Sequence, residues 1–140
     1  MILRFLKIVI AILFIQTLVS ANTQFYFDGL NLYKDKKFKE AKFKFEQDIV
    51  LNPKSEMSYL YLSKIFKNLN KKELEEQNLK TVILLNPKNE EAIFNLAKLK
   101  LETSDYIKSK ELNDKLIILC DKLCTESQKL KIEIETLSKK

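Results

Sequence analysis

Histidine and tryptophan are absent from the 140-residue sequence, glycine occurs once, and the single arginine is Arg4. Without histidine, imidazole bases and imidazole-ligated metal sites are excluded. Without arginine beyond Arg4, the remaining chain has no guanidinium group for the bidentate binding of carboxylates or phosphates. The sequence also contains no pairing of a nucleophile with a base and no glycine-rich phosphate loop. We therefore expect no enzyme activity, no cofactor and no metal site.

Turn-forming residues are equally scarce. Gly29, Pro53 and Pro87 are the only glycine and prolines, too few to punctuate a many-stranded sheet. Leucine, lysine, glutamate, isoleucine and asparagine dominate instead, and such a composition sustains helices joined by short connections. The sequence predicts an all-α fold.

The charge distribution argues against nucleic acid as a partner. The chain carries 25 Lys and Arg against 19 Asp and Glu, for a net charge of +6. Its lysines are interleaved with glutamates, as in the segment 71–76, which is typical of solvated helix faces. Nucleic-acid binding favours a concentrated basic stripe, and we find none.

The N-terminal segment has the pattern of a secretory signal. A short basic start is followed by the apolar run Ile8–Ile15 and by small residues ending at Ala21. This pattern predicts a signal peptide over 1–21 with cleavage after Ala21. The alternative is an uncleaved anchor in which residues 5–21 remain in the inner membrane. Under either interpretation the rest of the chain is exported to the periplasm or cell envelope.

An internal repeat organises the remaining sequence. The hexapeptide Leu51–Glu56 recurs in similar form as Leu85–Glu90, with Pro53 and Pro87 separated by 34 residues. A period of this length indicates a repeat array in which neighbouring units bury one another's apolar faces. The period divides the chain into three units, 22–55, 56–89 and 90–123, followed by a capping helix over 124–140.

Each unit reads as two helices. In the second unit, Tyr59, Leu62 and Phe66 lie on one helical face. Asn70 stands three residues before Glu73, which is the spacing of a capping box and predicts a second helix starting there. A similar pattern, Thr125 to Gln128, predicts the start of the capping helix.

The first unit carries small or stiff residues at telling places: Gly29 at position 8, Ala41 at position 20 and Pro53 at position 32. In these features the chain resembles the tetratricopeptide repeat (TPR) family, and specifically an exported bacterial TPR protein. The resemblance implies a TPR-like α-solenoid of three helix-turn-helix repeats plus a C-terminal capping helix. It also implies a protein-protein interaction module, a scaffold or assembly factor with a concave peptide-binding groove.

The family's groove positions alternate between apolar side chains and lysines in this chain. They predict a protein partner that offers a peptide or helix with apolar and acidic groups. The alternatives are that the apolar members are packing residues, or that the chain is a structural subunit completing a larger α-helical envelope complex without a free groove. The predicted groove residues are Tyr26, Leu30, Tyr33, Leu60, Lys64, Lys67, Phe94, Lys98 and Leu101.

Cys120 and Cys124 are the only cysteines. In a continuous helix their β-carbons would be too far apart for a disulfide, but a break in the helix between them would permit one in an oxidising compartment. Three interpretations stay open: buried free thiols, a disulfide that pins the capping helix, and redox or metal chemistry. Two cysteines supply only half the ligands of a structural zinc site.

Overall fold

The computed structural model describes residues 24–139, so the predicted signal peptide or anchor over 1–21 lies outside the described residues. The described residues form helices and no strands. None of these helices is long and apolar enough to cross a membrane. The helices are α1 (24–34), α2 (Phe38–Leu51), α3 (Glu56–Asn68), α4 (Lys72–Leu85), α5 (Glu90–Glu102), α6 (Tyr106–Leu119) and α7 (Cys124–Leu137).

The helix starts follow the period of the sequence. Helices α3, α5 and α7 begin at Glu56, Glu90 and Cys124, each 34 residues after the last. The chain divides into two compact units, Met1–Ser58 and Tyr59–Lys140. We refer to their described parts as the N-terminal unit, 24–58, and the C-terminal unit, 59–139.

Proline ends the second helix of the first two repeats. The residues before Pro53 and Pro87 are Asn52 and Asn86, with φ of −129° and −138° and ψ of 81° and 91°. These angles lie outside the helical region because the proline ring clashes with a helical residue in front of it. The helix therefore stops and the next one can start at a new angle.

A left-handed residue ends the first helix of every repeat. Lys36, Asn70 and Ser104 have φ of 59°, 53° and 62° and are spaced 34 residues apart. After each, the next amide closes a long bond to the helix, as where Lys71 N–H donates to the Phe66 carbonyl at 2.9 Å. This is the Schellman arrangement. The predicted capping box at Asn70 is therefore wrong: Asn70 terminates α3, and Lys71 is the N-cap of α4 without a side-chain cap bond.

Each unit has its own core. In the N-terminal unit the Phe45 ring is fully buried, with three of its carbons 2.9 to 3.1 Å from where a β-carbon on Gly29 would lie. Glycine is thus required by close approach of the ring. The C-terminal unit is built on a larger apolar cluster in which α7 takes part through Leu130 and Ile134.

Polar residues join α6 to the capping helix. The Asn113 side-chain amide is buried and donates to the Ser127 carbonyl at 3.0 Å. A second buried bond runs within the third repeat, from the Ser109 hydroxyl to the Ala97 carbonyl at 2.8 Å. The predicted capping box at Thr125 is wrong, because α7 already begins at Cys124 and its N-cap is Leu123.

Candidate functional site

Lys64 and Lys98 occupy equivalent places on α3 and α5, since they and the helix starts share the 34-residue spacing. The two lysines differ in their surroundings. Lys64 Nζ lies 2.7 Å from Glu91 Oε1 and 4.7 Å from the centroid of the Tyr61 ring. Its charge is therefore already compensated within the protein.

Lys98 has no such partner. Its ammonium lies 5.8 Å from the centroid of the half-buried Phe94 ring. None of the ion pairs formed by residues 24–139 includes Lys98. A half-exposed aromatic face beside an uncompensated cation can receive an apolar group and an acidic group together. Lys67 is exposed on α3.

Two predicted groove residues lie in the core instead. Leu60 and Leu101 are 2% and 7% exposed and belong to the apolar cluster of the C-terminal unit. Their prediction as groove residues is corrected, because side chains this deeply packed offer almost no surface to a ligand. For Leu60, the packing alternative of the sequence is the one that the structure contains.

The predicted residues of the N-terminal unit are half-buried. Tyr26 packs against Phe27 and Phe45, with ring centroids 5.4 and 6.1 Å away. Tyr33 lies 5.4 Å from the Phe38 ring, and Leu30 is also partly exposed. Of these predicted residues, Tyr26 also lines a cavity.

That cavity has a volume of about 300 Å³ and lies wholly within the N-terminal unit. Its deepest polar group is the carboxylate of Asp48, a residue that is only 2% exposed. The hydroxyls of Ser55 and Ser58 both donate to Asp48 Oδ2. The cavity is lined by Tyr26, Phe27, Asp48, Asn52, Ser55, Glu56 and Met57.

Several solved structures share this arrangement of helices. The Yersinia enterocolitica type III secretion chaperone SycD, solved with a peptide of the translocator YopD, superimposes with a TM-score of 0.78 at 17% identity, covering 86% of this chain and 96% of SycD. The Arabidopsis OM64 TPR domain gives 0.73 at 18% identity, with 84% and 96% covered. The first TPR of Spaghetti (RPAP3), bound to the HSP90 peptide SRMEEVD, gives 0.76 at 13% identity, with 85% and 94% covered.

The chain has a TPR fold. The fold class predicted from the sequence, an all-α TPR-like α-solenoid, is thereby confirmed. No protein-family model matches the sequence, and a comparison with curated proteins found no match either. At these identities the likeness establishes the fold.

The TPR repeat is altered where the third unit meets α7. Cys120 and Cys124 form a disulfide across the break between α6 and α7, with their α-carbons 5.2 Å apart. Of the three interpretations left open by the sequence, the disulfide is the one found, and the free thiols expected as an alternative are not. The helix break brings the two side chains together, which a continuous helix would not do.

Glu90 binds the same junction. Its carboxylate accepts backbone N–H bonds from Asp121 and Leu123, both at 2.9 Å, and from Lys122 at 3.1 Å. The Leu123 bond, together with those from Asp121 and Lys122, lowers the pKa of Glu90 below its ordinary value. This arrangement needs a free amide at position 121, where the earlier TPR units carry proline.

Two residues of interest escaped the sequence analysis. Ile132 is 66% exposed on α7 and continues the register of Lys64 and Lys98 by one more period. Asp48 stands where the later repeats have Val82 and Leu116. Extending the TPR register into α7, and comparing the units position by position, would have found both.

Among residues 24–139 we find no group of three or more acidic residues and cysteines that could hold a metal ion. The TPR surface therefore presents contacts for another macromolecule, supplied by side chains alone.

Proposed function

We propose that this chain is a non-enzymatic, exported TPR protein-protein interaction module that binds a segment of another protein on the face bearing Phe94 and Lys98. The observation that carries the proposal is the uncompensated Lys98 ammonium beside the half-buried Phe94 ring. The fold supports it as well. SycD and RPAP3, which share the fold, were each solved with a peptide of another protein.

The chemistry of this face favours a segment with apolar and acidic groups. Glu91 already neutralises Lys64, so an acidic group on the partner gains most at Lys98 and at the exposed Lys67. Ile132 extends the apolar surface along the same register on α7. A scaffold or assembly role in the cell envelope fits such a segment-binding surface.

Export rests on the N-terminal segment and on the cysteines. The pattern of residues 1–21 is that of a signal peptide or anchor. A disulfide between Cys120 and Cys124 suits an oxidising compartment such as the periplasm. Detection of the chain in a periplasmic or inner-membrane fraction tests this part of the proposal, and an exclusively cytoplasmic location contradicts it.

Site-specific photo-cross-linking in cells tests the binding face. A photoreactive residue replaces Lys98 in one strain and Lys129, an exposed lysine on α7, in the control strain. We expect Lys98 cross-links to a defined envelope protein that Lys67→Glu weakens and that the Lys129 position does not give. Identical cross-linked species from both positions would contradict the proposed face.

A second candidate is a structural subunit of a larger α-helical envelope complex. Val50, Leu84 and Ile118 are 77%, 80% and 84% exposed, one on the second helix of each repeat at the 34-residue spacing. Exposed apolar rows of this kind mark interaction surfaces. Analytical ultracentrifugation distinguishes the two, because a stable monomer disfavours an obligate subunit.

A further inference from the structure

Asp48 is a buried carboxylate without a cation. The hydroxyls of Ser55 and Ser58 each have a single proton, and both are directed at Asp48 Oδ2. Within residues 24–139, no ion pair includes Asp48 and no donor reaches Oδ1. Burial of an ionised group is unfavourable unless an opposite charge compensates it. The carboxylate therefore has capacity for one more, preferably cationic, partner.

The cavity next to Asp48 has the walls that a cation on an aliphatic stem requires. Tyr26 and Phe27 supply aromatic faces, and Met57 supplies a flexible apolar side chain. The only charged lining residues are acidic, Asp48 and Glu56. Although the chain as a whole is basic, this cavity therefore repels anions and attracts cations.

We propose that this cavity receives the side-chain ammonium of a lysine on the protein partner. The ammonium donates to Asp48 Oδ1, and the aliphatic stem packs against Phe27 and Met57, with Tyr26 adding a cation–π contact. The volume of about 300 Å³ is at the lower end for ligand sites, which suits one long side chain. That the ammonium belongs to a protein rests on the proposed function, while the preference of the cavity for a cation does not.

Methionine provides a selective reporter of binding. The only methionines are Met1 and Met57, so protein labelled with ¹³C-methyl methionine gives one resonance from the cavity. The probes are n-butylammonium chloride and n-butanol, which share the aliphatic stem and differ in charge. We expect n-butylammonium to shift the Met57 resonance with a Kd about tenfold lower than that of n-butanol, as a charge-assisted hydrogen bond implies.

Two variants assign the preference to the buried carboxylate. In Asp48→Asn, which retains an acceptor for the two serine hydroxyls, we expect both probes to bind equally weakly. Asp35→Asn removes an exposed carboxylate of the same unit and should leave the preference unchanged, which controls for general electrostatics.

Equal binding of both probes to the wild-type protein would overturn the proposal, and that comparison needs no variant. A cation preference that survives in Asp48→Asn would also overturn it. Cation binding without cross-linking at Lys98 would sustain the cavity and count against the proposed function, so the two failures are distinguishable.

Discussion

The left-handed residues that end the first helix of each repeat are a direct test of how the chain folds. Lys36, Asn70 and Ser104 all have positive φ, a conformation that glycine adopts without the steric penalty of a β-carbon. We expect Lys36→Gly and Ser104→Gly to stabilise the protein. Asn70→Gly should have little effect, because asparagine tolerates this conformation better than other residues.

The size of the effect follows from two opposing terms. A non-glycine residue in the left-handed region costs roughly 1–2 kcal/mol. Glycine loses more backbone entropy on folding, which removes roughly 0.5–1 kcal/mol of that gain. The expected net stabilisation is therefore about 0.5–1 kcal/mol for Lys36→Gly and for Ser104→Gly. The matched control is Lys39→Gly on the exposed face of α2, which should cost about 1 kcal/mol because the residue there is helical.

Urea unfolding followed by circular dichroism at 222 nm measures these differences. At an unchanged m value, the midpoint should rise for Lys36→Gly and Ser104→Gly and fall for Lys39→Gly. Lys36 belongs to the N-terminal unit and Ser104 to the C-terminal unit, so if the units unfold separately each substitution shifts its own transition. A fall in the midpoint for both, similar to that of Lys39→Gly, would refute the reasoning.

Three further predictions concern packing and charge. Gly29→Ala places a β-carbon 2.9 Å from the buried Phe45 ring, so overpacking of about 1–3 kcal/mol outweighs the helix-propensity gain of about 1 kcal/mol and Tm falls; a rise in Tm would contradict this contact. Burial raises the pKa of Glu75, so wild-type stability declines as pH rises above the ordinary value of 4.5; Glu75→Gln should be more stable than wild type at pH 7, with a difference that shrinks on acidification, and a pH-independent difference would exclude this cause. Backbone hydrogen bonds lower the pKa of Glu90, so its contribution is complete above 4.5 and is lost as pH falls through the folded-state pKa; Glu90→Gln should lower Tm at pH 7 and not in strong acid, and equal Tm values at pH 7 would show that the bonds contribute nothing.

The fold could be predicted because the relevant signal is periodic. A 34-residue spacing of Pro53 and Pro87 and of the apolar positions leaves few alternatives to stacked helix pairs. Local helix ends were harder to predict. Asn70 belongs to a residue type favoured both at N-caps and at left-handed helix ends, and the pattern alone does not separate the two roles.

The binding face was only partly predictable. Register placed Phe94 and Lys98 correctly on one helix, but it could not tell that Leu60 and Leu101 are buried, since leucine serves equally in a core and in a groove. The compensation of Lys64 by Glu91 depends on contacts between helices. Such contacts lie outside any single periodic pattern.

The junction of Cys120, Cys124 and Glu90 has a consequence for the length of the array. Internal junctions of the chain use Asn-Pro-Lys, whereas the last one uses free amides that a carboxylate from the start of α5 gathers into a covalently closed loop. It therefore acts as a terminator, which distinguishes the final helix from the first helix of another repeat. Replacing residues 120–123 with the internal sequence Asn-Pro-Lys-Asn and appending a second helix would open the array to elongation, which makes this junction the natural place to build longer arrays from the chain.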